Sequence, residues 1–185
     1  LDSYCEKFRI EQNSKGIPIG VTRIGIHTGS ATVGNFGSQT RMDFTALGDT
    51  VNTAARTEGV NKYFGTRIAA TEEIVSKCTS DLNFLPIGDI VLKGKTVAVP
   101  LYSPVSSEFF NSEYSKQYLD IYNQLKGSAV ELKLTSDNDD RIPNHLAGNK
   151  MIKLSRKFPK EPLAKFHANR ITKGLITTKV IMDSK

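Results

Sequence analysis

Apolar and polar positions alternate in short, strand-like runs through the first hundred or so residues and settle into helical spacing beyond them. Asp2 to Gln12 has helical character and ends in the turn-rich Asn13-Ser14-Lys15-Gly16-Ile17-Pro18. From Ile19 to His27 the positions Val21, Arg23, Gly25 and His27 alternate with Thr22, Ile24 and Ile26, the period of a strand. After Thr28-Gly29-Ser30 a second short strand, ATVGNFG, predicts a hairpin with the first. Met42 to Leu47 is β-prone, the chain turns at Gly48-Asp49-Thr50, and Thr50 to Phe64 is helix-compatible up to a stop at Gly65. Val51, Ala54, Ala55 and Tyr63 are its expected contacts to a sheet.

Arg67 to Ala70 predicts a further short strand, and Thr71 is a natural N-cap for a short helix reaching Cys78. Phe84–Leu92 and Val97–Tyr102 read as two strands joined by a turn at Lys93-Gly94-Lys95-Thr96. Such alternation implies an α/β arrangement in which helices cover a sheet. Past Pro104, Glu108 to Leu125 places Phe109, Phe110, Tyr114, Tyr118, Ile121, Tyr122 and Leu125 at helical spacing. Ser136 to Asn149 is polar and expected to be loop or disorder, followed by two short helices over Met151–Phe158 and Pro162–Lys173. The expected division is a folded part over residues 1–104 and an accessory helical, partly disordered tail over residues 105–185.

Composition changes this picture little. At 185 residues with 38% hydrophobic and 24% charged residues, the chain can bury a real core. The net charge of +6 divides into +1 for residues 1–104 and +5 for residues 105–185, so the basic excess lies in the tail. Its basic residues are scattered and lack an RNA-binding aromatic signature, so a solvated basic surface is expected and nucleic acid binding is not. Cys5 and Cys78 have no metal-type spacing, which fits a reduced, cytoplasmic setting. No apolar run approaches the ~20 residues that span a bilayer, which leaves open a membrane anchor in a neighbouring segment. Leu1 is not an initiator methionine, so the expectation is a chain that begins inside a larger polypeptide or a gene fragment.

The candidate chemistry lies at the start of the helix after Gly48. Asn52 and Arg56, four residues apart, project from one face near an end that carries free backbone donors and partial positive charge. An amide and a guanidinium there suit an anionic, phosphate-bearing ligand. The alternatives are that Asn52 caps local backbone and that Arg56 pairs with Glu58 or another acid. Lys93, in a turn beside Gly94, suits polyphosphate as a mobile point charge, or is an ordinary solvated lysine. His27 is expected to be packed or backbone-bonded, and Asp49 to be a turn or cap residue. Neither Asp43 nor Asp49 has a second carboxylate at metal-binding spacing.

Three motifs then agree in order and spacing: Arg23-Ile-Gly-Ile-His27-Thr-Gly29, Val33-Gly-Asn-Phe-Gly-Ser38, and Phe44-Thr-Ala-Leu-Gly-Asp-Thr-Val-Asn52-Thr-Ala-Ala-Arg56. Over about Ile19 to Pro104 they closely resemble the class III adenylate and guanylate cyclase catalytic domain; Pro159 to Arg170 is similar to extensions of some bacterial cyclases. The resemblance implies a ferredoxin-like sheet-and-helix sandwich with its N-terminal strands missing, plus a helical C-terminal tail. It implies conversion of ATP to 3′,5′-cyclic AMP and pyrophosphate at a site shared with a second cyclase domain, in a homodimer or heterodimer. By the same resemblance Asn52 orients the ribose, Arg56 stabilises α-phosphate charge, Lys93 reaches the terminal phosphates and Thr45 contacts the base. Thr45 favours ATP over GTP. The family's Mg²⁺ or Mn²⁺ ligands, two aspartates, and a purine-contacting lysine are expected upstream of Leu1 or in a partner. A fragment with unpaired sheet edges is expected to be poorly soluble or marginally stable. The competing expectation is a catalytically inactive cyclase-like module that binds nucleotide or a partner domain.

Overall fold

A computed structural model describes residues 2–79, 81–131 and 142–182. A first helix, α1 (Asp2–Ser14), precedes strand β1 (Ile24–Ile26). Strands β2 (Thr32–Ser38) and β3 (Arg41–Leu47) form a two-stranded antiparallel ribbon through Gln39-Thr40. Helix α2 (Asp49–Phe64) leads to β4 (Ile68–Thr71), the short helix α3 (Glu72–Val75) and the hairpin of β5 (Asn83–Val91) with β6 (Val99–Val105). Helices α4 (Ser107–Phe110), α5 (Glu113–Glu131), α6 (Ile142–Lys157) and α7 (Pro162–Ile171) follow, and β7 (Lys179–Ile181) comes last. The five-stranded sheet has the order β1-β4-β6-β5-β7, with β1 parallel to β4 and β7 parallel to β5.

The expected hairpin between the first two strands does not form; β2 pairs with β3 instead, and β1 joins β4. The reason lies at Gly29. A Cβ there would sit 2.5 Å from Thr50 Oγ1, and Thr50 Oγ1 donates to Ser30 O at 2.8 Å, so this segment is drawn onto the start of α2 rather than turned back. The expected helix over Glu108–Leu125 is broken at Asn111-Ser112, where Ser112 Oγ accepts from Ser115 N and starts α5. Of the expected loop over Ser136–Asn149, residues 136–141 lie outside the described residues. From Ile142 onward the chain is helical, because Ala147, Met151 and Leu154 bury one face of α6.

One hydrophobic cluster runs from Val60 and Phe64 of α2 through Leu85, Ile87 and Ile90 of β5 to Tyr118 of α5, Met151 of α6 and Val180 of β7. It crosses position 104 without a gap in packing. Phe64 lies 4.0 Å, centroid to centroid, from Phe166 of α7. Tyr118, fully buried, donates its hydroxyl to Pro86 O at 2.8 Å, and buried His167 meets Ile87 O through Nε2 at 2.9 Å. Two polar side chains, one from α5 and one from α7, thereby satisfy carbonyls at the irregular Pro86–Gly88 step of β5. α1 has no buried residue and is tied to the body by Arg67, which forms ion pairs with Asp2 (2.8 Å) and Glu6 (3.1 Å).

Candidate active site

The helix that carries Asn52 and Arg56 is held tightly against β1. A Cβ on Gly25 would fall 2.2 Å from Glu58 N and 2.4 Å from Ala54 O, so only glycine permits this approach. Asn61, buried in the same helix, donates to Ile24 O and Glu58 O at 3.0 Å each and accepts from Thr66 Oγ1 at 2.6 Å. Gly48 precedes the helix with φ 147°, and Gly65 ends it in the left-handed region at φ 69°. With its axis fixed this way, α2 presents Asn52 exposed and Arg56 half-buried one turn further on.

Arg56 points across to the β5–β6 turn. Gly94 sits there at φ 71°, and a Cβ on it would lie 3.4 Å from the Arg56 guanidinium. Lys95 N donates to Leu92 O at 2.8 Å and closes the turn. Arg56, Lys62, Tyr63, Leu92, Lys93 and Met182 line a groove of about 280 Å³. Among the described residues the side chains of Asn52, Arg56, Lys62 and Lys93 make no hydrogen bond or ion pair, though the Arg56 charge is felt by Asp49. Unpaired cations facing one groove without a carboxylate in its lining form a surface that favours anions.

Thr45 lies elsewhere. It pairs across the ribbon with Gly34, shares a face with Arg41 and Asp43, and is exposed, outside the groove that joins Arg56 to Lys93. Two residues gain a part that the sequence concealed. Lys95 reaches back to the Asp49 carboxylate at the head of α2, and this hydrogen bond, with the charges of Lys95, Arg56 and His27, holds Asp49 below the usual carboxylate range. Lys62 joins the cationic groove although nothing in its spacing from Arg56 marked it. His27 is packed as expected, with Nδ1 2.9 Å from Thr71 Oγ1.

The described residues do not make a site for a divalent cation. Among the described residues no three His, Cys, Asp or Glu side chains converge, Asp49 is engaged by Lys95, and Asp43 faces Arg41 at 3.4 Å. The ribbon adds a different feature. Val33, Met42 and Phe44 occupy one of its faces and are 61%, 66% and 74% exposed, an apolar surface with no partner within the described residues.

This arrangement of sheet, ribbon and cationic groove falls within a recognised class: residues 2–103 match the model of the adenylate and guanylate cyclase catalytic domain, and the chain belongs to that family. Among individual relatives, it is 43% identical over 105 residues to adenylate cyclase 1 of Rhizobium meliloti (strain 1021), covering 57% of this chain and 16% of that protein. It is 33% identical over 105 residues to an adenylate cyclase of Anabaena cylindrica, covering 55% of this chain and 21% of that protein. The chain thus spans about a fifth or less of the length of these relatives. A solved structure of the adenylyl cyclase CyaB from P. aeruginosa is 32% identical, with 57% of this chain and 54% of that one covered at a TM-score of 0.49.

Proposed function

We propose that this chain supplies one side of a composite site that converts ATP to 3′,5′-cyclic AMP and pyrophosphate. The observation that carries this is the unpaired Arg56 guanidinium held against the Gly94 turn, in one groove with Lys93. A fixed guanidinium is suited to the negative charge that grows on an α-phosphate as the 3′-oxygen attacks, because it needs no reorientation as that charge develops. Lys93, exposed at the lip of the turn, takes the terminal phosphates and the departing pyrophosphate. Asn52, one turn before Arg56 and free to hydrogen-bond, orients the ribose. Thr45 offers a hydroxyl to the base from the ribbon, which favours ATP.

The divalent ions with which this family works, Mg²⁺ or Mn²⁺, are proposed to be held by carboxylates outside the described residues, in a second cyclase domain or another segment. A second domain is also the proposed occupant of the apolar ribbon face around Phe44. The expected cellular setting is the cytoplasm or the cytoplasmic part of a membrane-anchored protein; no described helix is long and apolar enough to cross a membrane. A non-catalytic, partner-binding reading is favoured by one observation, the lack of converging carboxylates among the described residues.

Complementation separates the two. The chain is mixed with a complete cyclase domain that lacks its own asparagine and arginine at the positions of Asn52 and Arg56, and is given ATP and Mn²⁺. Cyclic AMP production is expected, falling ~10²–10³-fold with Arg56→Ala. Association without turnover would instead establish the binding module.

A further inference from the structure

The last described residues of the chain reach the cationic groove. β7 pairs in parallel with β5 at Asp89–Lys179, Ile90–Val180 and Val91–Ile181. One residue later, Met182 N donates to Val91 O at 3.0 Å, and the Met182 side chain lines the groove with Arg56 and Lys93. Val91 and buried Leu92 are the residues from which the Lys93-Gly94 turn springs. β7 is itself anchored at its start. Thr178 Oγ1 donates to Asp89 Oδ2 at 2.6 Å, Asp89 N donates to Thr178 O at 3.1 Å, and Arg170 of α7 donates to Thr177 O (2.9 Å) and Lys179 O (2.6 Å).

We propose that Met182 and the strand before it are positioning elements for the cationic turn: the C-terminal strand holds the root of the Lys93-Gly94 turn at the height where Lys93 and Arg56 face the same anion. The groove has a helix wall fixed by Gly25 and Asn61 and a turn wall that β6 supports from one side. Without β7 the other side of β5 is an open edge, and Val91 loses its partner directly before the turn. Residues well past the family-matching stretch of 2–103 therefore take part in shaping the groove. The inference rests on the cyclase reading only for the identity of the anion, a polyphosphate.

The test uses the full chain alone, with inorganic tripolyphosphate as the probe. Met182→Pro removes the N–H that meets Val91 O, and Met182→Leu keeps it. Arg170→Gln releases β7 from α7 without touching the groove, and serves if the proline variant fails to fold. Hydrogen exchange over residues 92–98 is expected to quicken about tenfold in M182P and R170Q, while the amides around Val60 to Phe64 stay protected. Tripolyphosphate is expected to bind about fivefold more weakly to both variants, and within twofold of the unaltered chain to M182L. Faster exchange with unchanged affinity would reduce β7 to a purely structural strand and overturn the proposal, as would no binding by the unaltered chain or unchanged exchange. Failure of the cyclase reading is distinct: it is read from absent turnover on complementation, and leaves the exchange and binding results in force.

Discussion

His167 makes the interior sensitive to acid. Its ring is fully buried among Phe64, Tyr118, Tyr122 and Phe166, and burial lowers its pKa to about 4. The neutral ring donates from Nε2 to Ile87 O. In the unfolded chain the same group titrates near 6.5, so between that pH and about 4 the unfolded state binds more protons. The stabilisation is present in full above about pH 6.5 and falls away as pH drops through this window, by about 3 kcal/mol in all. Thermal unfolding of the unaltered chain and His167→Asn, followed from pH 7 to 4.5, is expected to show a shallower pH slope in the variant. At the head of α2, Lys95→Ala removes the cation that lowers the Asp49 pKa. The Asp49 carboxyl is then expected to titrate at higher pH than in the unaltered chain, read by carboxyl carbon shifts in NMR. Neither partnership could be read from the sequence: helical spacing around His167 does not name a carbonyl 80 residues earlier, and the turn holding Lys95 does not name Asp49, 46 residues before it.

At the scale of elements, α2 was legible because its ends are chemical. Glycine stops it at residue 65 and frees its entry at residue 48, and both ends fall within a residue of expectation. Its seat on β1 predicts a severe response to a small change. Gly25→Ala is expected to destabilise the chain by ~1–3 kcal/mol or more, since the new methyl meets helix backbone rather than a yielding side chain. Chemical denaturation measures this, with Gly59→Ala as the control, because nothing lies within 4 Å of a Cβ there. The strand–strand pairing was not legible. Alternation reveals that a segment is extended but not which neighbour it takes, and contacts to Thr50 sent β2 toward β3. The three-residue β7 carries too little pattern to predict, and its place is set by Asp89, 89 residues before Thr178, together with Arg170 of the preceding helix. α6 was underread at its start because its polar first turns hid a face that packs through Ala147.

At the scale of the molecule, the three motifs were sufficient to place the chain in its family, since each pins a separate piece of one fold. The candidate site residues converge only in part: Arg56 and Lys93 share a groove, Asn52 stands a turn away and Thr45 on the ribbon. The exposed face of Val33, Met42 and Phe44 predicts concentration-dependent self-association. Sedimentation velocity over a range of concentrations is expected to show it for the unaltered chain, and Phe44→Asp is expected to shift the distribution toward monomer. If F44D associates as strongly, another surface is responsible.

The parallel pairing of β5 with β7 also bears on how the chain is made. Asp89 and Thr178, which clasp the two strands, are 89 residues apart. At the usual pace of translation the ribosome needs roughly 5–20 seconds to synthesise that interval. For that time the β5 hairpin has emerged while its final neighbour does not yet exist, and one long edge is open to any strand nearby. Slowing elongation between these two points should therefore lower the yield of folded protein, whereas the same delay placed before β5 should not.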